Sequence, residues 1–454
     1  MFHSLVCKHF SWRKSATSGH AVWCYKTPAR QEVAVSSFAA ALNRIKGNLS
    51  QAVPATLIDR TAQLIGLKTR NRTLTPVVTT HLALHRCLEG GTAITHLQRF
   101  TTKRFTPSAY CQAMARLPEA FFGLLSLLVT GGLRSDRRGD RWHGHRVMLI
   151  DGTGVSMPDT PELQAAFGQP GGQRPGCGFP VGHLLALFDH RTGYLLRTIL
   201  APLRTHDLTH AAITHSELQT GDLLLGDRAL GSFAHLALLQ QRGLHGLFRQ
   251  HQQRPRGLAR DRLVSYPKPK QKPSWMTAEA FAELPATLTV REVRVTVRTP
   301  GRRVRHLVLV TTLLDCDRYP AKDLAKLYEQ RWQVEVHLRS LKITLGMDIL
   351  KSQTAAGVRK EVLLFGLAYN LVRRVMQAAA RRQRVPVDRI SFLDALRWLQ
   401  QAQPDERLPD LVVVPARPGR WEPRVKKRRP KNYPLLNRPR RQLKKALRNK
   451  HNRR

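Results

Sequence analysis

The sequence predicts an α/β unit interrupted by a β-rich insertion, with a helical domain before it and a helical, basic region after it. Three observations predict this. Residues 34–133 carry apolar residues at three- and four-residue spacing, the period of amphipathic helices. From 147 the texture changes to short apolar runs closed by turn residues, VMLI before Asp151-Gly152 and LLLG before Asp227. From 319 long amphipathic helical patterns return and continue to about 401.

The first thirty residues show no periodic pattern and are expected to be poorly ordered. They are basic, lack acids and contain no apolar signal-peptide stretch, and a transit-peptide reading stays open. Residues 31–140 are expected to form a helical domain, from segments such as VPATLIDRTAQLIGL and TPVVTTHLALHRCLEG. Two of its helices open on Thr-Pro pairs, Thr75-Pro76 and Thr106-Pro107, as helix starts do. Basic clusters at 68–72 and 98–104 suit a DNA-binding bundle, although a purely structural cap fits the same pattern.

The α/β unit is expected at 145–244 and 319–375, split by an insertion at 245–318. HLLALFDHRTGYLLRTIL reads as a hairpin, HDLTHAAITHSEL as a helix and GDLLLGDRALGSFAHLALLQQRG as strand, Asp227, then helix. Within the insertion TLTVREVRVTVRT alternates with period two and RHLVLVTTLL is a second strand. Helices are expected through 376–414. Beyond 415 a run of Arg and Lys with one acid, Glu422, is expected to lack structure of its own and to bind phosphates.

The balance of charge narrows the function. The chain of 454 residues has 75 Lys and Arg against 31 Asp and Glu, formally +44. A surface that basic calls for a polyanion, nucleic acid or an anionic membrane. The longest apolar runs are too short to span a bilayer, so DNA is the expected partner and no membrane is. The six cysteines are scattered, with no Cys-x-x-Cys and no zinc spacing, and read as thiols in a reducing cytoplasm.

The chemistry is expected around YEQRWQVEVHLRSLK, 328–342. On one continuous α-helix Tyr328, Arg331, Glu335 and Lys342 share an arc of about 60°. Leu327, Val334, Leu338 and Leu341 flank this stripe on one side and Trp332, Val336 and Ile343 on the other, while Glu329, Gln330, Gln333, His337 and Ser340 point to the solvent-like face. A charged stripe between apolar flanks suits a cleft, though ion pairing of Arg331 with Glu335 alone explains it equally well. What tips the balance is Asp151 and Asp227, each closing a strand, the place where open α/β sheets carry their chemistry. Three carboxylates from separate elements suit two hard divalent ions acting on a phosphodiester. His183, Asp189, His190, Glu217 and Asp222 read as turn, edge or structural residues.

These motifs resemble those of DDE transposases of the insertion sequence 4 family. The Tyr-x2-Arg-x3-Glu-x6-Lys pattern of that family is matched by Tyr328, Arg331, Glu335 and Lys342 without gap or substitution, and LIDGTGVSMPDTPE and LLLGDRALGSF match its two Asp motifs. The resemblance covers roughly 35–375. It implies an RNase H-like domain in which Asp151, Asp227 and Glu335 hold two Mg²⁺ ions, with Mn²⁺ as a substitute. It implies that Tyr328, Arg331 and Lys342 hold the transposon end. It also implies a Trp in the insertion that stacks on an extruded base, for which Trp275 is the candidate. Arg228, next to Asp227, is a further candidate contact to phosphate. The implied reaction is hydrolysis at the element's 3′ end and attack of the freed hydroxyl on target DNA, with a hairpin intermediate in relatives. Its implied setting is the bacterial cytoplasm at the nucleoid, as a homodimer on terminal inverted repeats. A catalytically inactive DNA-binding relative and a metal-dependent nuclease that cuts without joining remain as alternatives.

Overall fold

The computed structural model describes residues 53–68, 73–101, 103–131, 141–172, 174–251, 260–297, 305–401, 407–415, 436 and 438–451. The expected poorly ordered start at 1–30, the first part of the helical domain expected at 31–140 and most of the basic tail lie outside these residues.

Four helices come first: α1 (Ala55–Leu64), α2 (Pro76–Leu88), α3 (Pro107–Arg116) and α4 (Glu119–Gly131). The Thr-Pro pairs begin α2 and α3. The hydroxyls of Thr75 and Thr106 accept from the amides of Val78 and Ala109, and proline occupies the first turn, where its missing N–H has no partner to lose. Among the described residues no single helix is long and apolar enough to cross a membrane.

A single eight-stranded sheet follows. Its strands are β1 (Val147–Ser156), β2 (Val181–Asp189), β3 (Leu195–Pro202), β4 (Leu223–Leu225), β5 (His245–Arg249), β6 (Asp261–Pro267), β7 (Thr287–Val297) and β8 (Arg305–Thr311), in the order β3-β2-β1-β4-β5-β8-β7-β6. β2 is antiparallel to both β1 and β3, and β4 and β5 run parallel to β1. Helices α5 (Pro161–Phe167), α6 (Asp207–Thr214), α7 (Phe233–Gln241), α8 (Ala278–Ala282), α9 (Ala321–Glu329), α10 (Gln333–Arg339), α11 (Ala355–Gln383), α12 (Phe392–Gln401) and α13 (Arg440–His451) complete the chain.

The two-residue period of the strands divides the interior into two cores. Leu149, Leu184, Ala186, Phe188, Leu223, Leu225 and Leu247 face one side, packed with the N-terminal helices and with α9 to α12. Met148, Ile150, Leu185, Leu187, Leu224 and Phe248 face the other, packed with α6, α7 and the apolar residues of β6 to β8. Helices on both faces explain why β4 is apolar at every position, as a central parallel strand must be. The 29-residue α11 is the main support, buried along most of its length.

Two boundaries differ from the sequence reading. β5, within the stretch assigned to the insertion, pairs parallel with β4 and lies inside the sheet, because HGLF continues the strand–helix–strand rhythm of β4 and α7. The inserted strands β8, β7 and β6 then extend the same sheet by antiparallel pairing. Arg291 locks them to the strand–helix connection: it is buried, pairs with Asp261 and donates to the carbonyls of Tyr319 and Asp315. In the tail expected to lack structure, α13 forms at Arg440–His451. Its start is tied down: the Arg440 guanidinium lies 3.8 Å over the ring of Phe179 and donates to the Gly178 carbonyl at 3.0 Å, with Asp159 at 3.4 Å.

Candidate active site

β1 and β4 bring the two aspartates together. Their parallel register pairs Leu149 with Leu225. Asp151 and Asp227 each lie two residues further along, at the same end of this pairing, near enough that the charge of Asp227 acts on the Asp151 carboxyl. Both are held by local backbone: Asp151 Oδ1 accepts from the Gly152 amide at 2.9 Å, and Asp227 Oδ1 from the Ala229 amide at 2.8 Å, capping the turn Arg228–Leu230. Burial pushes the Asp151 carboxyl up to about 6. The charges of Asp227 and Asp207 push the same way, while the Gly152 amide and Arg331 oppose them.

The helical stretch over these acids is less regular than an ideal helix. α9 passes through a 3₁₀ turn at Gln330–Trp332 into α10, and α10 ends in a π turn at Ser340–Thr344. The functional stripe survives these changes of pitch. Arg331 bridges two acids, with Nη2 2.9 Å from Glu335 Oε1 and Nη1 3.7 Å from Asp151 Oδ2. Lys342, inside the π turn, donates to Thr153 Oγ1 at 2.9 Å, two residues along β1 from Asp151. Burial pulls the Lys342 ammonium below its ordinary range, with Asp348 partly offsetting this. Tyr328 packs on the first core, and burial pushes its phenol up to about 12, so it stays a neutral donor.

The flanks of the stripe depart from the expectation. Leu327, Val334, Leu338 and Leu341 are buried as expected. Trp332, Val336 and Ile343 are 51%, 48% and 63% exposed, an open apolar edge beside Arg331 and Lys342. His337, expected toward solvent, is buried against Phe188 and Tyr369, with Nδ1 3.1 Å from the Tyr369 hydroxyl. Burial holds its ring neutral. The reason is α11, which covers the side of α10 that the local pattern leaves polar.

Two other expected residues sit outside this cluster. Trp275 is half-buried and packs against the second core beside Met276, because the Pro273–Met276 turn directs both inward. Arg228 is exposed on the turn capped by Asp227.

The structure gives His183, which the sequence reading set aside, a partner that reading did not consider. His183 on β2 and Asp207 at the start of α6 are joined by a 2.5 Å Nε2–Oδ1 contact directly behind Gly152. A methyl group at position 152 would lie 2.3 Å from Asp207 Oδ1 and 2.7 Å from His183 Cε1. Gly152 is therefore fixed by space. The available signal was a histidine within the apolar run VGHLLALF, facing the same side as Gly152 once β1 and β2 are in register.

Among the described residues, no three of His, Cys, Asp and Glu come close enough together to form a metal-holding group. Glu335 is turned to Arg331, which stands between it and Asp151. The donor set still fits a hard cation: Asp151 and Asp227 are adjacent carboxyls whose charges oppose each other, and a positive charge there removes the conflict.

The transposase DDE domain model matches residues 142–371, just over half of the chain and all of the elements that carry these residues. The InsG transposase of insertion sequence element IS4 from Escherichia coli (strain K12) is 31% identical over 163 residues, covering 32% of this chain and 37% of that relative, so the likeness spans about a third of the relative's length. The piggyBac transposase, solved as a synaptic complex with hairpin DNA, is similar at 10% identity and a TM-score of 0.41, covering 79% of each chain. The chain belongs to the transposase DDE domain family.

Proposed function

We propose that this chain is a DNA transposase that binds the terminal inverted repeats of an insertion sequence, cuts at its ends and joins the freed strands to target DNA. The observation that carries the reading is the placing of Asp151 and Asp227 just past the paired residues of two parallel strands, beneath a helix whose Arg331 reaches Asp151 and whose Lys342 reaches Thr153 on the same strand, with Glu335 held by Arg331. The sheet supports an RNase H-like reading: three antiparallel strands, then two strands parallel to the first, in the order β3-β2-β1-β4-β5. The net charge of +44 draws DNA in, and the helical domain at 31–140 is the proposed second DNA contact. A homodimer would hold two ends together, in the bacterial cytoplasm at the nucleoid.

The family generally uses divalent metal ions. Asp151, Asp227 and, once released from Arg331, Glu335 would hold two Mg²⁺ ions here, with Mn²⁺ as a substitute. Such ions activate an attacking oxygen and stabilise the leaving oxygen of a phosphodiester. The chain's own residues do the rest. Arg331 reaches both the Asp151 and the Glu335 carboxyl, and its charge opposes the rise of Asp151. Lys342, fixed by Thr153, presents an ammonium to a phosphate near the acids. Tyr328 offers a phenol that remains protonated through the working pH range.

The test is incubation of the purified protein with Mg²⁺ and a labelled duplex carrying the element's own ends, beside Asp227→Ala. End-specific nicks and joined products, absent in the variant, establish the reading. Nicks without joined products favour the plain nuclease, and binding without cutting by either protein favours the inactive relative.

A further inference from the structure

A cavity of about 850 Å³ lies where the first residues of β1, the β2–β3 turn, the start of α10 and the C-terminal end of α11 meet. It is separate from the acids: its sheet wall ends at Val147, on the N-terminal side of Asp151. Five arginines line it, Arg141, Arg146, Arg191, Arg381 and Arg384, against two aspartates. Both aspartates already have partners. Asp189 accepts from the Thr192 amide and hydroxyl at 2.7 Å each, and Asp388 lies 3.6 Å from Arg373 and 3.3 Å from Gln333. Arg146 is paired with Asp222 behind the wall, and Arg141, Arg191 and Arg381 have interactions of their own, so the positive balance of the lining is one of formal charge, five against two.

Two further features mark the cavity. Gln333 Oε1 and His190 Nε2, on two of the lining residues, are buried without a hydrogen-bond partner. A buried polar atom left unpaired is costly, so two in one lining point to a polar ligand that completes them. Arg384 closes α11 at φ +54, a left-handed conformation unusual for a residue with a side chain, and its side chain lines this cavity.

We propose that this cavity is a second phosphate-binding site, which takes the sugar-phosphate backbone of bound DNA away from the reacting phosphodiester. The inference rests on the transposase reading. Arginine suits the task, since its planar fork pairs with phosphate oxygens two at a time. A neutral His190 contributes an N–H donor and Gln333 an acceptor for an ordered water beside the phosphate.

The test is the double variant Arg381→Ser/Arg384→Gly. Both residues are exposed, and glycine suits the φ at 384, so the fold is retained, as a thermal melt would verify. Affinity for the duplex carrying the element's end is measured across a salt series. Each lost phosphate contact lowers the slope of log K against log salt by about 0.9. The double variant is therefore expected to lose about two units of slope and to bind about tenfold more weakly at moderate salt. An unchanged slope, with the wild type binding normally, overturns the proposal. A variant that instead loses only a thermal shift induced by inorganic pyrophosphate, its DNA slope unchanged, marks a small-anion site and overturns it too. A wild type that binds no DNA removes the transposase reading itself, and this inference with it.

Discussion

Replacing Asp151 with Asn should make the protein more stable while removing its proposed chemistry. In the folded chain the Asp151 carboxyl is raised from its ordinary 3.8 to about 6, first by burial and then by the charges of Asp227 and Asp207. Its side chain is only 21% exposed, so solvent screens little of this. The unfolded chain loses the proton near 3.8 and the folded chain keeps it until about 6. Stability therefore falls as pH rises through that window, by about 1.4 kcal/mol per unit and about 3 kcal/mol in all. The Asn variant lacks this ionisation, and its carbonyl can still accept from the Gly152 amide. Arg331 keeps Glu335 at 2.9 Å, so no cation is stranded. Urea unfolding in chelator should show the variant more stable by up to about 3 kcal/mol near pH 8, with the gap closing below about pH 4. Added Mg²⁺ should stabilise the wild type and leave the variant unmoved. Equal stabilities near pH 8, or a deficit in the variant that persists in acid, would refute the claim that adjacent carboxylates strain this site.

Two further outcomes follow from the same geometry. Gly152→Ala should cost about 1–3 kcal/mol of stability, because the new methyl overlaps Asp207 and His183, and the loss should shrink in the Gly152→Ala/Asp207→Ala double variant. Chemical unfolding of the four proteins of that cycle checks both statements. Lys342→Met should unfold within about 1 kcal/mol of the wild type, since it gives up one half-exposed hydrogen bond to Thr153, yet should cut end cleavage at least about tenfold under the same Mg²⁺ conditions.

Asp151 and Asp227 were legible because their signal is local: an apolar run, then an acid, then a turn. Arg331, Glu335 and Lys342 were legible through helical spacing, even though the real path includes a 3₁₀ and a π turn, because each change of pitch moves a residue by only a fraction of a turn. What stayed hidden depends on partners far away in the chain. His337 looks solvent-facing until α11 is laid over it from more than twenty residues downstream. Trp275 reads equally as a stacking platform or a packed loop residue until the second core and the Pro273 turn show it half-buried. The His183–Asp207 pair needs the register of β1 against β2, which sets His183 on the side of Gly152, and the docking of α6 against them. The tail reads as an unanchored polycation until Phe179 and Asp159 receive Arg440.

Arg331 ties these threads into one argument about the site. It is the cation that sits between Asp151 and Glu335, and its charge is one of two influences opposing the rise of Asp151 toward neutrality. A guanidinium is a weaker answer to two carboxyls than a divalent ion, since it carries one charge spread over a plane. A cation taken up by Asp151, Asp227 and Glu335 would free Arg331 from both of its acids at once. The freed guanidinium would then face the same space as Lys342 and Tyr328, with its fork available to a phosphate. Cation uptake and DNA grip are thereby linked through one side chain. Linkage of this kind is reciprocal, so Mg²⁺ should tighten binding of the element's end to the wild type. In Arg331→Met, which has no guanidinium to release, Mg²⁺ should leave that affinity unchanged. A Mg²⁺ effect of equal size in both proteins would show that the two events are independent.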